Sequence, residues 1–141
     1  MANDIFSAKL AELDSKICRI HEQISSSETS DHSLIIKEAD ALKLECAAEK
    51  QKILTVMQGS KAQSVRMLTE PYSRIEEIIR TTAAHIFSAE NSRESQAEEI
   101  TLLAEYSLDF AMLAVSHALF VSLKAIDAQM TLQESKEEEE E

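Results

Sequence analysis

Apolar residues recur every three or four positions along most of the chain, which is the spacing of one side of an α-helix. The pattern is most regular between residues 3 and 25, where it keeps a strict heptad spacing. Because such a seam is typical of helices that pack side by side, we expect a first helix from Asn3 to Ser25. Its apolar positions are Phe6, Leu10, Leu13, Ile17, Ile20 and Ile24.

A second helix follows a polar stretch at residues 25–33. Glu49 and Lys50 interrupt its apolar pattern by one turn, which predicts that this turn is less buried than the rest. The helix is expected to stop at Gly59, the only glycine of the chain, because glycine suits the position after a helix end. The segment Ser60–Gln63 has the form of a capping box and predicts a tight turn into a third helix.

The third helix contains the only proline, Pro71, within a regular apolar pattern that runs from Val65 to Ile86. A proline inside a helix costs roughly 3 kcal/mol, whereas a proline in the first turn is harmless. Either one kinked helix extends from residue 60 to about residue 88, or the second helix continues past Gly59 and a new helix starts at Pro71. The unbroken apolar spacing favours the kinked helix.

The rest of the chain is organised around its last helix, from Ile100 to Leu132, which is apolar on nearly every side. A helix of this kind is expected to be buried on several sides. Small residues along one side would allow a neighbouring helix to approach closely. This predicted interaction seam comprises Ala104, Ala111, Ala114, Ala118 and Ala125.

The connections between the predicted helices are short, and short connections make consecutive helices antiparallel. The sequence therefore predicts an all-α fold, namely an antiparallel, up-down-up-down four-helix bundle with a long, mostly buried C-terminal helix. A single domain is expected over residues 1–133. Residues 134–141 contain six acidic residues and one lysine, and we expect this acidic tail to be disordered.

Charge and hydropathy restrict the partners. The formal net charge of −12 argues against binding to nucleic acid and to an anionic membrane surface. The longest nearly pure apolar run, Phe110 to Leu123, is shorter than the ~20 residues of a membrane span, so no span is predicted. Cys18 and Cys46 lack metal-site spacing, and no signal-peptide pattern occurs at the N-terminus. We therefore expect a cytoplasmic protein.

Candidate catalytic chemistry is sparse. Glu105 and Asp109, one turn apart on the last helix, are weak candidates for binding a divalent cation, which prefers oxygen ligands. Asp109, Ser116 and His117 share that helix, but consecutive helical residues are rotated by about 100°, so Ser116 and His117 do not form a nucleophile–base pair. We expect no catalytic residue and no cofactor.

Two functions of different classes follow from these patterns. The first is a non-enzymatic interaction or assembly protein that self-associates as a homodimer and holds a helical protein partner in an apolar groove. It is favoured because the apolar part of the last helix, about 50 Å, exceeds the first helix, about 34 Å. The alternative is a divergent metal-dependent enzyme of the nucleotide-processing type that uses carboxylates on the bundle.

In size, acidic charge and helix content, the chain resembles many small cytosolic chaperones and adaptors of bacterial secretion systems. The resemblance rests on composition, and no specific motif carries it. It implies a protein-binding role, with a helical segment of another protein as the partner. That implication agrees with the first of the two functions.

Overall fold

The structure is a computed structural model that describes residues 2–27, 31–88 and 90–140. Within these ranges the chain is all-α, as predicted, and contains no β-strand. The chain divides into two compact units. One unit combines Met1–Ser25 with Ala104–Glu141, and the other is Ser26–Leu103. The helices are α1 (Ala2–Ser27), α2 (His32–Gln58), α3 (Gln63–Met67), α4 (Thr69–Ser88) and α5 (Arg93–Glu140).

The predicted first helix is confirmed as α1, whose bounds lie within two residues of the expected ones. In the polar stretch that follows, residues 28–30 lie outside the described part of the chain. Asp31 occupies the N-cap position of α2 in an extended conformation, with φ −67° and ψ 142°. Its carboxylate forms no cap hydrogen bond and instead accepts a hydrogen bond of 2.8 Å from the Ser33 hydroxyl.

The second helix ends before Gly59, as predicted, but the following turn differs from the expected one. Gly59 has φ −84° and ψ 3°, and its N–H bonds back to the Thr55 carbonyl at 3.2 Å. The predicted capping box is wrong. The Ser60 hydroxyl accepts a hydrogen bond of 3.2 Å from the Ala62 N–H, and Gln63 is already the first residue of α3. A capping box requires the glutamine three positions after the N-cap residue, inside the first turn.

The prediction of one kinked helix across Pro71 is also wrong. α3 ends at Met67, Leu68 forms a turn, and α4 begins at Thr69. Pro71 lies in the first turn of α4, where its missing N–H has no intrahelical partner to lose. The apolar spacing continues across the break because Leu68 keeps nearly helical dihedral angles, φ −77° and ψ −14°. Spacing alone therefore does not reveal this interruption.

In the unit Ser26–Leu103, α2 contacts α4, and the short α3 contacts both. Among the described residues, Ile86 on α4 is the one buried hydrophobic residue, with 8% of its surface exposed. Thr69, the first residue of α4, is the other buried residue. This unit therefore has a small core.

The helix α5 begins with a side-chain cap. The Ser92 hydroxyl accepts a hydrogen bond of 3.1 Å from the Ser95 N–H, and the Ser92 carbonyl accepts one of 3.0 Å from the Gln96 N–H. From there α5 continues for 48 residues. It includes residues 134–140, most of the acidic tail that was expected to be disordered, while residue 141 lies outside the described part of the chain.

The prediction that the C-terminal helix is mostly buried is wrong for the single chain. No residue of α5 is buried, and Phe110 and Leu123 are each 67% exposed. The reason is geometric: the unit that holds residues 104–141 contains only α1 as a second helix. Contacts between the described helices are concentrated among α2, α3 and α4, so a helix that is apolar around most of its circumference stays largely uncovered in one chain. The antiparallel bundle remains a prediction.

Candidate functional site

The predicted interaction seam lies on the least exposed side of α5. Ala125 is half-buried, whereas Ala104, Ala111, Ala114 and Ala118 are exposed in the single chain. Spacings of three, four and seven residues put these alanines on the same side of α5 as several half-buried residues. Those half-buried residues are Ser107, Val115, Ser122 and Ile126.

The heptad seam of α1 is the corresponding least exposed side in the same unit. Phe6 and Ile20 on this seam are half-buried. Leu10 and Leu13 belong to the seam too and are less exposed than Ile17 and Ile24. The unit therefore turns the seams of both its helices away from solvent more than their other sides. Neither seam is fully covered within one chain.

The other side of α5 is exposed and carries large side chains. Tyr106, Leu113 and Phe120 follow one another at heptad spacing, and each is more than half exposed. Charged residues lie on the same side at spacings of three and four. We name this side the outer stripe, and its residues are Tyr106, Asp109, Leu113, Ser116, His117, Phe120, Lys124 and Asp127.

The sequence predicts a last helix that is apolar on nearly every side, and it did not single out the large residues of the outer stripe. A projection of the sequence onto a helix would have shown Tyr106, Leu113 and Phe120 between the charges. What the sequence alone could not supply is their exposure. Exposure depends on which neighbours cover each side of α5.

The two weak metal candidates, Glu105 and Asp109, lie on the exposed part of α5. Divalent cations such as Ca²⁺ and Mg²⁺ are held by several oxygen ligands, and one helix supplies only two carboxylates here. In the described part of the chain, no three His, Cys, Asp or Glu side chains are grouped so that they could hold a metal ion. Metal binding by Glu105 and Asp109 remains a prediction, and the described residues offer no third ligand beside them.

Within the described ranges, α5 is a helix long and apolar enough to cross a membrane, a property that core helices of soluble proteins share. By length and composition, α5 is therefore compatible with surroundings of either protein or lipid.

No protein-family model, curated protein or solved structure matches the chain.

Proposed function

We propose that the protein is a non-enzymatic assembly protein in which a second copy of the chain covers α5. The observation that carries this proposal is the exposure of α5, none of whose residues is buried in the single chain. Exposed apolar surface of this kind is what a second copy covers in the interface of an obligate dimer.

The uncovered surface of α5 also has the composition of an interface. No charged residue occurs between Asp109 and Lys124, and Phe110, Met112 and Leu123 in this run are each about two-thirds exposed or more. Aromatic residues and methionine are enriched in interfaces between proteins. Burying one large apolar side chain contributes about 1.5–3 kcal/mol, so several of them offset the roughly 4–15 kcal/mol that association costs.

Two copies of α1 and α5 supply four long helices. In this proposal the helix packing expected from the sequence forms between two chains instead of within one. The small side chains of the interaction seam allow close approach of helices in that packing. A helical segment of a partner protein would use the same apolar sides through anchors at i, i+3 and i+4, as in an adaptor or chaperone.

A lipid bilayer is the competing environment for α5. The uncharged run from Phe110 to Leu123 measures about 21 Å, shorter than the roughly 30 Å of a hydrocarbon core. Extending it in either direction places Asp109 or Lys124 within the hydrocarbon core, where a charged side chain is unfavourable. The net charge of −12 further opposes binding to anionic lipid. A protein surface is the better match.

Sedimentation velocity of the full chain tests the proposal. We expect Phe120→Glu to shift the protein towards monomer, because association would bury an unpaired carboxylate. Leu44→Glu is the matched control, since Leu44 is a highly exposed apolar residue of α2, and it should sediment as the wild-type chain does. Equal dissociation of both variants would show that the interface is not on α5.

A flotation experiment separates the protein partner from the lipid partner. The wild-type chain is mixed with vesicles of neutral phosphatidylcholine and centrifuged through a density gradient. We expect the chain to remain at the bottom as an oligomer, because its α5 is covered by protein. A chain that sediments as a monomer, or that floats with the vesicles, would contradict the proposal.

A further inference from the structure

We infer that two copies of α5 pair antiparallel along the outer stripe, with the pair centred between Ser116 and His117. This inference rests on the proposed self-association and adds the side of α5 that is used and the direction of pairing. The outer stripe is exposed along its whole length in the single chain. At about 100° per residue, its mean direction is opposite to that of half-buried Ser107, Val115 and Ser122.

The apolar part of the outer stripe is symmetric about that centre. Leu113 and Phe120 lie at equal distances on either side of the midpoint between Ser116 and His117. In an antiparallel pair that shares this midpoint, Leu113 of each copy faces Phe120 of the other. Both side chains are more than half exposed in the single chain, so the pairing covers them.

The charged part of the outer stripe has the same symmetry, with opposite signs at the two ends. Asp109 and Lys124 are also equidistant from the midpoint, and they flank the uncharged run. An antiparallel pair therefore places Asp109 of each copy opposite Lys124 of the other. Tyr106 of each copy likewise faces Asp127 of the other. The tyrosine hydroxyl can donate a hydrogen bond to that carboxylate.

Parallel pairing in register would oppose like charges. It would place Asp109 against Asp109, Lys124 against Lys124, and the acidic residues 134–140 of the two chains side by side. Such juxtaposition of like charges is costly at an interface. Antiparallel pairing instead separates the two acidic ends by the length of the contact. Charge complementarity therefore selects the antiparallel direction.

Lys124 is available for this contact although it already has an intrachain neighbour. Its ammonium group lies 3.3 Å from the Asp127 carboxylate, and both side chains are largely exposed. Exposed pairs at this spacing are weak, and an ammonium group has three donors. It can therefore bind Asp109 of the other copy while it stays near Asp127.

Cross-linking through single cysteines tests the register. Cys18 and Cys46, both exposed free thiols, are replaced by serine, and cysteines are introduced one at a time in the full chain. We expect Ser116→Cys to cross-link to itself with a short bismaleimide, since the two copies of this position meet at the centre. Tyr106→Cys should not cross-link to itself, because its copies lie roughly 30 Å apart. A mixture of Tyr106→Cys and Asp127→Cys chains should cross-link.

A charge exchange tests the ion pairs independently. We expect Asp109→Lys and Lys124→Asp each to weaken self-association roughly tenfold, because each single change creates two like-charge contacts. The double variant should recover to within about threefold of the wild type, since it restores two opposite-charge contacts with the polarity reversed. Glu105→Lys is the matched control. The residue at the same distance on the other side of the midpoint is the uncharged Ala128, so Glu105 has no ion pair across the contact that the change could break.

The outcomes separate this inference from the proposed function. A wild-type monomer at all concentrations overturns both. An oligomer in which Tyr106→Cys cross-links to itself, or in which Ser116→Cys does not, retains self-association and overturns the antiparallel register. An oligomer in which the double charge variant stays as weak as the single variants overturns the ion pairs and, with them, the register.

Discussion

Lys50 on α2 donates a hydrogen bond to Glu76 on α4, with 2.6 Å between Nζ and Oε2. The two side chains are 30% and 39% exposed, and Arg80 approaches the other oxygen of Glu76 at 3.7 Å. The interruption of the apolar pattern at Glu49 and Lys50 was expected to mark a less buried turn. Instead, both residues are half-buried, because this turn of α2 is where an ionic contact reaches α4.

Breaking this ion pair should lower the stability of the unit formed by α2, α3 and α4. A double-mutant cycle with Lys50→Met and Glu76→Gln is expected to give a coupling energy of about 1 kcal/mol, measured by urea unfolding. The exposed pair Glu70–Arg74 is the control, and its coupling should stay below about 0.5 kcal/mol. Equal coupling energies for the two pairs would show that partial burial adds nothing.

Loss of the Ser92 cap should destabilise the start of α5. Ser92→Ala is expected to cost about 1 kcal/mol, because it leaves the Ser95 N–H without its side-chain acceptor. Ser92→Asp should retain most of the stability. Asp31→Ala is the contrast at the start of α2, where the side chain forms no cap hydrogen bond, and it should cost less. A larger loss for Asp31→Ala in thermal unfolding would contradict this assignment.

The helical content could be predicted from the sequence because spacing, composition and the single glycine all point to helices. The bounds of α1 and the end of α2 at Gly59 followed from those local signals. The break at Leu68 did not, since a single turn with nearly helical dihedral angles leaves the apolar spacing intact. Spacing detects which side of a helix is apolar but not whether the backbone hydrogen bonds are continuous.

The exposure of α5 could not be predicted from its residues. An apolar helix is buried only if neighbours cover it, and the number of neighbours is a property of the whole assembly. The alanines of the seam share one side of α5, since that follows from their spacing. Its members Ala104, Ala111, Ala114 and Ala118 are nevertheless exposed in one chain, and only Ala125 is half-buried.

Enlarging a residue of the seam should disturb the assembled protein. Ala118→Leu is expected to cost roughly 1–3 kcal/mol by overpacking and to lower the melting temperature by several degrees. Ala47→Leu, at an exposed position of α2, is the matched control and should change the melting temperature little. If Ala118→Leu changed neither the melting temperature nor the oligomer size, the alanines would not form a close contact.

Divalent cations should leave the stability of the protein unchanged. Binding of a cation to the native state would raise its stability by mass action. Because α5 supplies only two carboxylates at Glu105 and Asp109, we expect no such binding, and millimolar Mg²⁺ or Mn²⁺ should shift the melting temperature by less than about 1 °C. A Glu105→Gln, Asp109→Asn double variant should respond as the wild type does. A saturable rise that the double variant loses would instead support the metal-dependent enzyme.

The most direct measurement is the absolute mass of the full chain by light scattering over a dilution series. The account predicts a mass of at least twice 15.7 kDa at micromolar concentration, because one chain leaves α5 uncovered. Dissociation on dilution should follow mass action. A mass of 15.7 kDa at every concentration would contradict self-association, and the exposure of large apolar side chains on α5 would then need another explanation.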